Sequence, residues 1–399
     1  MTISTVRAVN RLTKRWAAAQ PPDGGTGTVF TAAGVWPLLA LLADGAGGAA
    51  REELARAVGI PAGAAAGAAA GAARELLAAL AGVRGLRTAT GLWARDALPL
   101  EEAWRAKLPA GALGTLTGDA GAETAVLDAW ASDRTGGLIE RMPVSLQEDT
   151  RFVLASALAL RLKWIRPFYE EPGHVAEGPW ADRLLPLLVR STSLLDRVRV
   201  AHGPAGPVTL LEVVGDTGVD VHLVLGEPDA PAGETLGAGI DVVTRALPAT
   251  GADLLPEGKP GPGLSVTTVP AVSRRPRLTA RTVAFDVRAE HDLLEQARLF
   301  GLESASDSSR GHFPGISAEP LAIGSARQAA LARFGAEGFE AAAVTALMAV
   351  AGSAPPALRY RVRWAEVRFD RPFGFLAVHR ASRLVLAAGW ISEPGTVSE

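Results

Sequence analysis

Few residues of this 399-residue chain have the types and spacing that catalysis needs. Its six histidines are His174, His202, His222, His291, His312 and His379. No two of them stand at i, i+4, so the His-Glu-x-x-His pattern of helical zinc hydrolases is absent. No Gly-x-Ser-x-Gly nucleophile elbow occurs. There is no cysteine, which excludes disulfides, thiolate catalysis and Cys-ligated zinc. Gly258-Lys259-Pro260-Gly261-Pro262-Gly263 has the glycines of a phosphate loop but not their order, and its prolines remove N–H donors, so it reads as a turn. The most informative stretch is instead Gly338-Phe339-Glu340-Ala341-Ala342-Ala343-Val344-Thr345-Ala346. It is poor in large side chains, yet Gly and Pro do not dominate it. Alanine costs little ordering entropy and fits between strands or in a helix. Val344 and Thr345 favour strand, and Ala354-Pro355-Pro356 forbids regular structure just downstream. The composition suits a loop that later becomes something else.

The elements that must position this loop change character along the chain. Met1 to Gln20 places Val6, Val9, Leu12 and Trp16 at helical spacing among Arg7, Arg11, Lys14 and Arg15, so an amphipathic helix is expected and not a secretory segment. Val29 to Leu42 reads as a buried helix after a short strand, Ala49 to Val58 as the next helix, and Val126 to Glu140 as another with Trp130 on its apolar side. The low-complexity tract Ala62 to Ala73 is expected to be an alanine-rich surface helix or loop. From residue 152 strands dominate. Phe152 to Leu162 is nearly all apolar, as a strand buried on both faces would be. Val208–Val214 and Val219–Leu225 flank a hairpin turn. Further strands are expected at Leu264–Val272, Arg281–Asp286, Phe373–Val378 and Leu384–Ile391, with a short helix at Asp292–Phe300. Helices first and strands later imply an α+β fold.

Composition sets limits. Hydrophobic residues make up 48% of the chain, ample for a large core, although length alone would suggest two or three domains. A net charge of −2 gives no basic field for nucleic acid or an anionic membrane. No run reaches the roughly 18 apolar residues that span a bilayer. A cytoplasmic, monomeric protein with no cofactor is expected.

Five segments together resemble the serpin family, the serine protease inhibitor fold, as a bacterial-type member. The stretch from Gly338 to Thr345 resembles the family's hinge, and Trp130 to Ile139 resembles its Asn-x-Trp…Thr-x-Gly-x-Ile motif, with Asp128 where Asn is usual. Leu154 to Trp164 is similar to the family's Leu-Val-Asn-Ala-Ile-Tyr-Phe-Lys-Gly-x-Trp motif, which implies that Trp164 stands in the breach at the top of the main sheet. Phe369-Asp370-Arg371-Pro372-Phe373-Gly374-Phe375 followed by Gly389-Trp390-Ile391-Ser392-Glu393-Pro394 resembles the C-terminal signature. The resemblance implies one domain over residues 1–399: helices around a large central sheet and two smaller sheets, with an exposed reactive loop at about 338–358. It also admits an extracellular location.

Several positions depart from the family pattern. Thr31-Ala32-Ala33-Gly34-Val35 stands where Ser-Pro-x-Ser-Ile is usual, Ser156 replaces an Asn, and Gln328 replaces a His. The resemblance assigns Thr31, Gly34, Ser156 and Gln328 to the shutter between the central strands, here a shrunken network. Phe339 follows Gly338 where a small Thr or Ser is usual. On insertion Phe339, Ala341, Ala343 and Thr345 would face inward, and Phe339 is expected to overpack by about 1–3 kcal/mol and slow the start of insertion.

By resemblance the chain is not an enzyme but a one-use inhibitor of serine-type endopeptidases, cleaved at its reactive loop, which then inserts into the main sheet. The family register places the scissile bond at Gly352-Ser353. The small apolar Ala349, Val350 and Ala351 before it suit an elastase-like or subtilisin-like protease. The segment Arg359-Tyr360-Arg361-Val362-Arg363-Trp364 reads as an edge strand with its arginines in water, or as a shifted bait offering Arg359 to a trypsin-like protease. The alternative function is a non-inhibitory serpin-fold binding or chaperone-like protein.

Overall fold

The computed structural model describes every residue except 22–24, 26, 145, 148–149, 176–177, 340–357 and 395–399. The first part is helical: α1 (Ile3–Ala18), β1 (Thr28–Phe30), α2 (Ala32–Gly45), α3 (Gly48–Val58), α4 (Ala68–Ala81), β2 (Leu86–Arg95), α5 (Glu102–Arg105), β3 (Leu113–Leu116) and α6 (Ala120–Thr135). Strands follow as β4 (Phe152–Leu160), β5 (Leu162–Lys163), β6 (Tyr169–His174), β7 (Leu184–Thr192), β8 (Val198–Gly203), β9 (Gly206–Val214) and β10 (Val219–Leu225). After α7 (Ala232–Val243) come β11 (Thr250–Gly251), β12 (Gly258–Gly261), β13 (Leu264–Ala271), β14 (Arg277–Val283), β15 (Phe285–Asp292) and α8 (Ala297–Phe300). The chain closes with β16 (Ser325–Phe334), β17 (Gly338–Phe339), β18 (Tyr360–Arg368), β19 (Phe373–His379) and β20 (Leu384–Ile391).

These strands form three sheets, as the α+β reading requires. The main sheet runs β3-β2-β4-β16, with β15 beyond β16 and the short β17 and β5 at one end. A second runs β1-β20-β19-β10-β9-β8-β11, and a third β12-β13-β18-β14-β7-β6. Strand β4 is buried along its whole length, and its alternation explains why every residue is apolar or small. Leu154 and Leu158 face the main core with α2, whereas Val153, Ala155 and Ala157 pack beneath Leu127 and Ala131 of α6. The Thr-x-Gly-x-Ile motif has a local cause. Thr135 Oγ donates to the Ala131 carbonyl at 2.7 Å and accepts from the Ile139 N–H at 3.0 Å, and Gly136 supplies the left-handed turn at φ 67°.

Three expectations need correction. The run at 281–286 is two strands in different sheets, because β14 ends at Val283 and β15 begins at Phe285. Helix Asp292–Phe300 shrinks to α8, since Asp292 is still paired with Arg327 in the main sheet. The alternating segment after Arg359 is an edge only in part: Tyr360–Arg363 pair with β13 alone among the described residues, and from Trp364 onward β18 lies between β13 and β14. Its buried residues are Val362, Ala365 and Val367, Tyr360 is exposed, and Arg363 donates to the Ala252 carbonyl at 2.7 Å instead of extending into water.

Strand β10 carries His222 opposite Glu212, whose carboxylate is held by Arg197 at 2.6 Å and Arg199 at 3.2 Å. Desolvation pushes the His222 imidazole down to about 4, against the opposing pull of Glu212 and Asp220. The unfolded chain therefore takes up a proton that the folded chain refuses. Stability is fully present above about pH 6.5 and falls as pH drops toward 4, by on the order of 3 kcal/mol from this group. Melting curves of wild type and His222→Leu between pH 7.5 and 4.5 should show a shallower decline for the variant.

Candidate functional site

The site lies where β4 and β16 run side by side. They pair in parallel from Ser325↔Val153 to Ala330↔Leu158 and not beyond, so the strands part toward the end where β16 finishes. Into that opening comes β17. Gly338 pairs with Lys163, and Phe339 pairs with both Leu162 and Phe334, each time antiparallel. The turn that aims it is closed by the Gly335 N–H on the Gly338 carbonyl at 3.0 Å.

Trp164 braces this turn. Its indole donates to the Gly335 carbonyl at 2.9 Å and its backbone N–H to Glu337 at 3.0 Å, while its ring packs on Phe334 with centroids 4.9 Å apart. Gly338 is required by closeness: an added Cβ would lie 2.2 Å from the Leu162 carbonyl oxygen and 3.0 Å from Lys163 Cα. Neither backbone group can move aside without breaking the pairing.

The expectation that Phe339 meets an overpacking penalty on insertion does not fit this geometry. Phe339 is already only 2% exposed in the uncut chain, packed against Phe375 at 6.2 Å. The aromatic cluster of Phe334, Phe285 and Phe375, with adjacent centroids 5.2 Å apart, provides the pocket. Its burial therefore precedes any later movement. The sequence marks Phe375 only as part of the C-terminal signature and does not mark the Gly335 carbonyl, because nothing local shows which other part of the chain a residue will meet. Glu340, Ala341, Ala342, Ala343, Val344, Thr345, Gly352 and Ser353 lie outside the described residues.

The structure brings the four shutter positions together. The Gln328 amide makes a two-point contact with one residue: Oε1 accepts from the Thr31 N–H and Nε2 donates to the Thr31 carbonyl, each at 2.9 Å. Thr31 also caps α2, its Oγ accepting from the Gly34 N–H at 3.2 Å and donating to the Leu386 carbonyl at 2.6 Å. An added Cβ at Gly34 would lie 2.5 Å from Ser156 Oγ, so α2 sits directly on β4 here. Ser156 is fully buried and its hydroxyl has no hydrogen-bond partner among the described residues. Across the strand pair, Thr90 Oγ is likewise buried and unpartnered. A Gln328→Leu substitution should cost roughly 2–4 kcal/mol in urea unfolding, because it strands the buried Thr31 N–H.

Among the described residues no group of three or more His, Cys, Asp or Glu side chains could hold a metal ion, and no helix is long and apolar enough to cross a membrane.

The family model described as serpin, serine protease inhibitor, matches residues 9–176 and 278–394. No curated protein matches this chain. Solved structures do. Human thyroxine-binding globulin is similar at TM-score 0.73 and 15% identity, covering 99% of each chain. A serpin from the trematode Schistosoma haematobium gives 0.70 and 15%, covering 98% of this chain and 100% of that one. Serpin48 of the insect Tenebrio molitor, titled a highly specific serpin, gives 0.69 and 18%, covering 98% of each. At these identities the likeness establishes the fold.

Proposed function

Because the chain belongs to the serpin family, we propose that it inhibits serine-type proteases by offering the segment after Phe339 as substrate and then inserting that segment between β4 and β16. The observation that carries this reading is β17. It occupies the first step of such an insertion, antiparallel to both neighbours, and its two pairings agree on one register. Continued downward, that register sets Ala341 between Leu160 and Ala332, Ala343 between Leu158 and Ala330, and Thr345 between Ser156 and Gln328. All three share the core-facing side with Phe339. The small side chains at 341 and 343 suit the space between two packed strands, and the Thr345 hydroxyl would reach the level of the unpartnered Ser156 hydroxyl.

The chemistry is the protease's own. Its serine attacks the Gly352 carbonyl, the peptide bond to Ser353 breaks, and an ester joins enzyme to the new C-terminus while Ser353 leaves as an amine. Cutting releases β17's continuation from β18. The strand then displaces the direct β4–β16 pairing and draws the esterified protease with it, which stalls hydrolysis of the ester. The uncut fold is thus held by a kinetic barrier above the inserted one.

Two observations bear on the bait. Arg359 is followed at once by Tyr360, which is paired with Ala271, so a protease seeking Arg359 meets residues beyond the bond that are already held in a sheet. That favours Gly352-Ser353, whose small neighbours fit elastase-like and subtilisin-like pockets. The similarity to thyroxine-binding globulin shows that this fold also occurs in a protein named for binding a small molecule, so function is argued from the site and not from the fold. Incubation with elastase, subtilisin and trypsin in turn, read on a denaturing gel, tests the reading. The expected result is a band at the summed mass with elastase or subtilisin, and a new N-terminus at Ser353. Cleavage by all three without such a band, giving a product no more stable than the intact chain, would favour a binding or chaperone-like role.

A further inference from the structure

The two ends of the segment 340–359 are anchored very differently. At one end β17 holds by two residues. At the other, β18 is held along both edges, parallel to β14 and antiparallel to β13. The pairing with β14 begins only at Trp364. The first four residues, Tyr360, Arg361, Val362 and Arg363, pair with Ala271, Pro270, Val269 and Thr268 of β13 alone among the described residues. The ordered part of β18 nearest the loop therefore exists because the β12–β13 hairpin lies against it. This hairpin falls within 177–277, the stretch that the family model does not match.

The contact is fastened by more than the ladder. Arg363 donates to the Ala252 carbonyl at 2.7 Å and also to the Leu255 carbonyl, and Arg361 donates to the Thr268 carbonyl at 3.3 Å. Arg274, just past β13, lies over the Tyr360 ring at 5.2 Å. At the far end the Arg368 N–H donates to the Gly263 carbonyl at 2.9 Å. Val266, Ala365 and Val367 are buried.

We infer that the β12–β13 hairpin is a clamp on β18 that keeps the uncut loop from inserting and so reserves insertion for the cut chain. The inference rests on the insertion reading above. In the register of β17, residues 340–348 would descend to Val153 and Ser325, about 30 Å at roughly 3.3 Å per residue. Residues 349–359, drawn out fully, reach at most about 40 Å, so a return to β18 leaves little slack to pass around the sheet. Release of Tyr360–Arg363 would add four residues of reach, so an intact loop inserts more readily once they let go. Their release requires breaking the β13 ladder and leaving the Arg363 guanidinium without its two carbonyls.

The test uses full-length protein. The chain has no cysteine, so Val269→Cys with Val362→Cys, directly opposite each other, adds one reversible lock. A loosened counterpart replaces residues 257–272 by a short Gly-Ser linker. Should that not fold, Arg363→Ala serves. Each is heated below its melting point and sampled for uncut chain that has become resistant to loop cleavage and melts higher. The loosened form is expected to convert at least roughly tenfold faster than wild type, a barrier change of about 1.4 kcal/mol. The oxidised disulfide form should convert more slowly than wild type and return to its rate on reduction. Equal rates in all forms, or no conversion in a folded loosened form, would overturn the clamp. Failure of the cut wild-type chain to gain stability would instead overturn insertion itself, so the two failures are distinct.

Discussion

Gly338→Val is expected to turn the protein from a trap into an ordinary substrate. The added side chain would meet the Leu162 carbonyl and Lys163 Cα, main-chain atoms of β5 at 2.2 and 3.0 Å even for a single carbon. Strand β17 then cannot stay between β5 and β16, and Phe339 leaves the cluster around Phe375. After cutting, the new strand must start its insertion without its first two residues in register. Hydrolysis of the ester competes with that start. Every 1.4 kcal/mol added to the insertion barrier shifts the outcome about tenfold toward hydrolysis. The fraction of cuts ending as covalent complex should fall by roughly tenfold or more, while the cleavage rate itself stays near wild type because the bait is untouched. Losing Phe339's burial should also lower the melting temperature of the uncut variant. Quantitative gels of complex against cleaved product, with melting of the uncut variant, check both halves. An unchanged complex yield would show that β17 plays no part in starting insertion.

The fold was legible where local pattern and tertiary role coincide. The unbroken apolar run of β4, the amphipathic spacing of α1 and the hairpin of β9 and β10 appear where their periodicity places them. Misreadings arose where partners come from far away. Strand β18 alternates like an edge strand, yet from Trp364 it lies between β13 and β14, and no residue in these segments advertises the others. The run 281–286 looks continuous because no glycine or proline interrupts it, but it passes from one sheet to another at Ala284.

The site was legible in part. Ser156, Gln328, Thr31 and Gly34 were picked by resemblance, and they do meet. The idea that their network is merely shrunken misses its form. Gln328 has the reach to grip Thr31 at both main-chain groups, and Ser156 is left without a partner. Phe339 was read as an obstacle because bulk in a future strand suggests overpacking. Only the arrangement of Phe285, Phe334 and Phe375 shows that its pocket already exists.

The central claim is that the cut loop becomes a strand of the main sheet. The most direct measurement is the melting temperature of the wild-type chain before and after a single cut between residues 349 and 359, made by a protease that is then removed. Insertion adds a strand hydrogen-bonded on both edges and buries one face of it, so the cut chain should melt at least about 10 °C higher, several kcal/mol at a few degrees per kcal/mol. Loss of one peptide bond has no other route to greater stability. A cut chain that melts at or below the intact one would contradict the account and leave this fold as a scaffold for binding alone.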